Sequence, residues 1–221
     1  MTECLLCKGQ IEDKSSFLRL FLLKEEGPSC CSTCYQNFER ISEEHCPRCF
    51  RDGKSDLCTD CKKWEEEGNQ VQHQSIFTYN QAMKAYFSQY KFQGDYALRF
   101  VFAKATKKAV KMFREHTIVP IPVSIEKFQV RGFNQVQGIL DAGKVAYRNI
   151  LEKKDTLAQS SKTREERLQT QQAFEIKKEV DLPDKILLVD DIYTTGKTLQ
   201  LAKQILLEAG VKEILTFSIA R

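Results

Sequence analysis

The stretch Leu187-Leu188-Val189-Asp190-Asp191-Ile192-Tyr193-Thr194-Thr195-Gly196-Lys197-Thr198 decides the fold. With the preceding Ile186, its first residues form the apolar run Ile186-Leu187-Leu188-Val189, the pattern of a strand buried on both faces. Downstream, Thr198 to Ala209 carries apolar residues at helical spacing and closes on Gly210, and Ile214 to Ile219 reads as a final strand. Strand, helix, strand in that order implies a parallel sheet. In an open parallel sheet the ligand crevice lies beyond the carboxyl ends of the strands, which is where Asp190 to Thr198 is expected as a loop. The N–H groups of Thr195, Gly196, Lys197 and Thr198, with the hydroxyls of Thr194, Thr195 and Thr198, suit a phosphate at a helix N-terminus, where the macrodipole favours an anion. Asp190 and Asp191 repel phosphate but accept hydrogen bonds from a vicinal diol. A sugar phosphate satisfies both halves. Gly196-Lys197-Thr198 imitates the end of a Walker A loop, yet that motif needs a glycine at position 191, which is Asp.

Upstream, Gln74 to Tyr79 reads as a short strand and Asn80 as the N-cap of a helix carrying Met83, Ala85, Tyr86 and Phe87. A second helix is expected from Tyr96 to about Phe113, with an apolar stripe through Leu98, Val101, Phe102, Ala105, Ala109, Val110 and Phe113. Thr117 to Ser124 is a β-branched run broken by Pro120 and Pro122; prolines remove ladder donors, so the strand should end near Val119 and continue as a loop. Asn134 to Ile150 reads as one helix, and the polar segment Lys153 to Gln172 as a cover over the site or a solvated connector. Arg131-Gly132 pairs a planar guanidinium with a residue permitting close backbone approach, which suits phosphate oxygens or a plain surface turn. Lys91 has the same two readings.

The 221 residues are 42% hydrophobic, 29% charged and 10% aromatic, which excludes collagenous, low-complexity and fully disordered classes. No run approaches the roughly 18 apolar residues of a spanning helix, and the first ten residues do not resemble an export signal, so direct membrane insertion is not expected and a cytoplasmic location is. Residues 71–221 hold 24 Lys+Arg against 16 Asp+Glu, whereas residues 1–70 hold 10 against 14. The basic surplus of the larger part favours phosphate-bearing partners, though it also describes an ordinary solvated surface.

All nine cysteines precede residue 62, and eight form C-x2-C pairs: Cys4 and Cys7, Cys31 and Cys34, Cys46 and Cys49, Cys58 and Cys61. Two thiolates at that spacing share one tight knuckle, and two knuckles complete a zinc tetrahedron. Four pairs therefore imply two zinc ions. The short gap between Cys49 and Cys58 favours sequential pairing, with interleaved pairing open on spacing alone. Cys30 adjoins Cys31, and the C-x2-C geometry favours Cys31 as ligand. Four thiolates close the shell, so the ions are structural and residues 1–66 form a double zinc-ribbon module ahead of an α/β domain over 71–221.

The string LLVDDIYTTGKT resembles the phosphoribosyl-diphosphate (PRPP) signature of type I phosphoribosyltransferases. With KFQGD at Lys91–Asp95, VPIPVS at Val119–Ser124, RGFNQ at Arg131–Gln135 and the cysteine-rich start, nearly the whole chain resembles the ComF family of late competence proteins. The run from Arg167 to Ala173-Phe174 departs from that pattern, with Gln169, Gln171 and Gln172 where many relatives include an Asn. The resemblance implies a type I phosphoribosyltransferase-like parallel sheet flanked by helices. It assigns the ribose hydroxyls to Asp190 and Asp191 and the 5′-phosphate to Thr194, Thr195, Gly196, Lys197 and Thr198. Pro120, Pro122, Arg131 and Lys91 would approach the diphosphate and its Mg²⁺. It further implies a role in uptake or processing of transforming DNA beside a helicase-like competence ATPase. A non-catalytic scaffold or single-stranded-DNA-binding module, and a nucleobase salvage transferase, are the alternatives.

Overall fold

The computed structural model describes residues 2–11, 29–53, 55–153 and 173–221. The cysteine-rich part is built from short pieces: antiparallel strands β1 (Thr2–Glu3) and β2 (Gln10–Ile11), helix α1 (Ser32–Gln36) and helix α2 (Thr59–Glu66). Strand β3 (His73–Phe77) follows, then α3 (Gln81–Phe92), begun by Asn80, whose side chain accepts the Met83 N–H. Helix α4 (Arg99–Val110) is extended at both ends by 3-10 turns, Tyr96–Leu98 and Lys111–Phe113, so the expected helix spans three joined pieces. Next come β4 (Thr117–Pro120), α5 (Ile125–Arg131), α6 (Gln135–Ala142) and the antiparallel pair β5 (Leu151–Lys153) and β6 (Phe174–Ile176). Strand β7 (Lys185–Ile192), helix α7 (Lys197–Glu208) and strand β8 (Glu213–Ala220) complete the chain.

The main sheet has the order β3-β8-β7-β4 with every pair parallel. Central position explains why β7 is apolar without alternation. Ile186 and Leu188 pack with Leu199, Ala202 and Leu206 of α7, while Leu187 and Val189 pack with Val110, Val136 and Leu140 of α4 and α6. Pro120 remains inside β4, opposite Val189, because β4 is an edge strand and needs ladder donors on one side only.

Two expectations are corrected and one helix is added. The strand does not stop at Val189 but continues through Asp190 and Asp191 to Ile192, so the acidic pair belongs to the strand end rather than the loop. Helix α5 stands in a stretch to which the sequence reading assigned no element, capped by the Ser124 hydroxyl, which accepts the Lys127 N–H, and by Gly132 at φ 81°. The helix starting at Asn134 ends at Ala142, not Ile150. Lys144 takes a left-handed φ of 52°, and a Cβ on Gly143 would stand 3.0 Å from the Ala103 carbonyl of α4. The proposed cover and the Arg167 run lie outside the described residues, apart from their ends at Lys153 and Ala173-Phe174.

The cysteine-rich part covers the β3 edge. Arg40 bridges Phe77, Ile41 N–H donates to the Ile76 carbonyl (3.1 Å) and His73 N–H to the Arg48 carbonyl (3.0 Å). Phe38 packs on Phe102 with ring centroids 4.8 Å apart, and Cys46, Cys49 and Cys61 share a core with Val71, Tyr193 and Leu199. This cover satisfies strand groups that would otherwise be an open template for pairing. No described helix is long and apolar enough to cross a membrane.

Candidate functional site

Side chains alternate along a strand, so Asp190 and Asp191 leave β7 on opposite faces. Asp191 meets the Lys91 ammonium in a close ion pair, and Lys91 also lies 4.7 Å over the Phe87 ring. Asp190 is within electrostatic reach of Lys153 on β5. Burial, and then the neighbouring Asp191 charge, pushes the Asp190 carboxyl well above the usual carboxylate range. Its Oδ1 accepts the Asp191 N–H at 2.8 Å, and Asp191 Oδ1 accepts the Ile192 N–H at 3.0 Å. A ligand that reaches both carboxylates must sit over the end of the strand rather than on either face.

The other expected residues gather around that end. Pro120 closes β4 beside Val189, and Pro122 lies in the short loop before α5, anchored by Asn134 Nδ2 donating to the Ile121 carbonyl at 2.9 Å. Arg131, the last residue of α5, donates through Nε to the Lys91 carbonyl (3.0 Å) and through Nη1 to Gln135 Oε1. The guanidinium thus ties α5 to α3 and α6, which is more than a surface turn requires. Thr194, Thr195, Lys197 and Thr198 are exposed, with Gly196 buried among them at φ 82°, and Lys197 opens α7. The loop therefore presents hydroxyls and N–H groups at a helix N-terminus, next to two carboxylates and two amines. Such a set places anion donors on one side and hydroxyl acceptors on the other.

Sequence reasoning missed Lys153 and Lys127. Burial lowers the Lys153 pKa, and the Lys127 charge lowers it further against the opposing pull of Asp190, so Lys153 lies within reach of both the acidic strand end and Lys127. Neither carries a local signal, since β5 has three residues and α5 has no buried face. Arg221 also escaped notice, and Trp64, which the sequence reading placed in a polar connector over Trp64 to Gln70, stands on α2 instead; both touch the loop.

The eight cysteines form two tetrads in sequential pairing, Cys4/Cys7/Cys31/Cys34 and Cys46/Cys49/Cys58/Cys61, with the ligand atoms in each within 4.8 Å of one another. Sulfur separations are 3.9 Å for Cys7–Cys31, 3.8 Å for Cys46–Cys61 and 3.5 Å for Cys49–Cys58. A tetrahedron of Zn–S bonds of about 2.3 Å has edges of about 3.8 Å, so both tetrads fit the ion. Burial opposes ionisation of Cys4, but N–H groups of Cys7, Cys31 and Leu6 outweigh it and bring the thiol down to about 6. At Cys46 the N–H groups of Cys58, Cys49 and Arg48 likewise overcome burial, to about 7. Cys30 lies outside both tetrads, and burial together with the Cys4 and Cys31 charges raises it to about 11. Of the adjacent pair, Cys31 is the one whose sulfur belongs to a tetrad. Zinc bound by four thiolates has no open position, so its contribution is to folding.

Residues 136–221 match the phosphoribosyl transferase domain family. Over 219 residues the chain is 48% identical to the competence protein ComFC of Streptococcus pneumoniae, covering 99% of this chain and 100% of that one. It is 34% identical over 215 residues to the competence protein ComFC of Bacillus subtilis, covering 94% of this chain and 89% of the relative. Competence protein F of Haemophilus influenzae is 24% identical over 238 residues, covering 99% of this chain and 96% of the relative.

Proposed function

Because this chain belongs to the ComFC family of competence proteins, we propose that its sheet-end site binds PRPP with Mg²⁺ and transfers or senses the phosphoribosyl group during handling of transforming DNA. The observation that carries this reading is the junction of Asp190 and Asp191 with the exposed loop Thr194–Thr198 at the carboxyl end of a central parallel strand. In the bound state the carboxylates accept from the ribose 2′- and 3′-hydroxyls, and the loop N–H and hydroxyl groups hold the 5′-phosphate. Lys91 can exchange Asp191 for diphosphate oxygens, leaving the carboxylate free for the diol. Pro120, Pro122 and Arg131 frame the same opening, and Arg131 meets the diphosphate if it gives up one of its internal acceptors.

In a transfer, the bond from C1′ to the diphosphate oxygen breaks, the electron pair leaves with the diphosphate, and an acceptor nucleophile bonds to C1′. Positive charge develops on the ribose ring, so the protein's part is to position, to stabilise the departing charge and to exclude water. On the family premise the partner is a helicase-like competence ATPase, and single-stranded DNA is the candidate polymer. Thermal unfolding with and without millimolar PRPP and Mg²⁺ tests the reading, because a ligand of the folded state raises the midpoint. A shift is expected. No shift removes PRPP as the ligand. Diphosphate release, assayed with and without single-stranded DNA, separates a transferase from a binding module.

A further inference from the structure

We infer that the second cysteine tetrad acts on the phosphate loop as well as on its own fold, with Trp64 and Arg221 as positioning residues that fix the loop in its ligand-ready shape. Resting on the PRPP reading for its consequence, the inference takes its geometry from the bonds of Trp64 and Arg221 to residues 193–195 and from the link between Arg221 and Cys49.

Trp64 stands on α2, three residues beyond Cys61, and its indole Nε1 donates to the Thr195 carbonyl at 2.9 Å. Arg221 Nη1 donates to the Tyr193 carbonyl (3.4 Å) and to the Thr194 carbonyl, while Nη2 donates to Cys49 Sγ (3.3 Å) and meets Asp60 Oδ2 (3.4 Å). One guanidinium, its side chain 8% exposed, therefore joins a tetrad thiolate to the first residues of the loop. Beneath the loop, the same guanidinium lies 4.6 Å from the Tyr193 ring centroid. That ring also lies against His73, with centroids 4.2 Å apart. His73 is fixed by Thr216 Oγ1 (3.0 Å), Ser75 Oγ (2.8 Å) and Ser218 Oγ (3.0 Å). The Tyr193 hydroxyl fills the space a Cβ at Gly196 would need.

Peptide geometry converts these contacts into function. In a planar trans peptide the carbonyl of one residue and the N–H of the next point in opposite directions. Holding the carbonyls of Tyr193, Thr194 and Thr195 toward Arg221 and Trp64 turns the N–H groups of Thr194, Thr195 and Gly196 away from the cysteine-rich part, toward the opening where a phosphate is expected. Ordering the loop before binding spares the ligand that entropy. A ribbon that only helped the chain fold would need neither the Trp64 bond to Thr195 nor the Cys49 contact with the guanidinium that holds Tyr193 and Thr194.

The test uses the full zinc-loaded chain. Backbone order parameters of residues 194–199, from nitrogen-15 relaxation, are compared in the wild type, Trp64→Phe and Arg221→Lys, beside zinc content and magnesium–PRPP affinity. Trp64→Phe keeps a ring and removes one donor; the loop order parameters are expected to fall, and PRPP affinity to fall by about fivefold, the worth of one neutral hydrogen bond. Arg221→Lys breaks the fork and is expected to lower affinity by about tenfold or more. Zinc should stay at two ions per chain in Trp64→Phe. Wild-type order parameters in the loops of folded Trp64→Phe and Arg221→Lys overturn the inference, and so does loss of zinc from Trp64→Phe, which would make Trp64 part of the knuckle. If Arg221→Lys does not fold, Trp64→Phe decides alone. Relaxation reads the loop without any ligand, so loosened variant loops beside a wild type that does not bind PRPP remove the proposed function and leave the clamp.

Discussion

Asp190 and Asp191 are neighbours in sequence and opposites in surroundings, one buried with its charge opposed and one paired with Lys91. A carboxyl raised in the folded state contributes stability that is fully present below its unfolded value of about 3.9 and is lost as pH rises through the folded value. The unliganded protein should thus lose stability as pH climbs above about 4, through this group, and Asp190→Asn should flatten that decline. Thermal midpoints from pH 4 to 8 check it; equal slopes in both proteins would place the titration elsewhere. Gly196→Ala should do the reverse, losing stability and ligand affinity together. Its φ of 82° costs a non-glycine residue about 1–2 kcal/mol, and its Cβ collides with Tyr193. Cys30→Ser should leave two zinc ions bound and Cys31→Ser should lower the count, because only Cys31 belongs to a tetrad. The acids, the Thr/Gly loop and the cysteine pairs were legible because their chemistry is written within a few neighbouring residues. Trp64 and Arg221 were not, because Trp64 is 131 residues from Thr195 and Arg221 is 172 from Cys49 in the chain.

At the scale of elements, apolar runs and caps foretold β7, α7, β8 and the start of α3. Helix α5 was hidden because Ile125, Phe128 and Val130 are exposed, which leaves no apolar stripe, although Ser124 and Gly132 marked both of its ends. The truncated α6 depended on the close approach of α4, a tertiary fact that no local pattern carries. Burial of the module against β3 likewise depends on pairings between distant residues. Those pairings make a prediction about zinc removal. Chelation should raise hydrogen exchange in residues 29–66 and, through the shared edge, in β3, while central β7 stays protected. Exchange confined to residues 1–66 would instead mark the ribbon as an independent unit.

For the whole molecule, the contrast between an acidic first part and a basic remainder was countable from sequence, and it bears on polymer partners. If the chain engages single-stranded DNA, the surplus of residues 71–221, 24 Lys+Arg against 16 Asp+Glu, should make binding weaken steeply with salt and discriminate little among sequences, since phosphate contacts release counterions and read no bases. Binding indifferent to salt would contradict this. What the whole sequence could not disclose is that ribbon and sheet meet at the phosphate loop, because that junction exists only once both are folded. The most direct test of the central claim is calorimetric titration of magnesium–PRPP into the zinc-loaded wild type and into a folded Asp190→Asn/Asp191→Asn double variant. The wild type should bind, and the double variant should bind more than about tenfold more weakly with its zinc intact, since the ribose diol loses its charged acceptors. Equal affinity in the two proteins, or no binding by the wild type at millimolar ligand, would contradict the account.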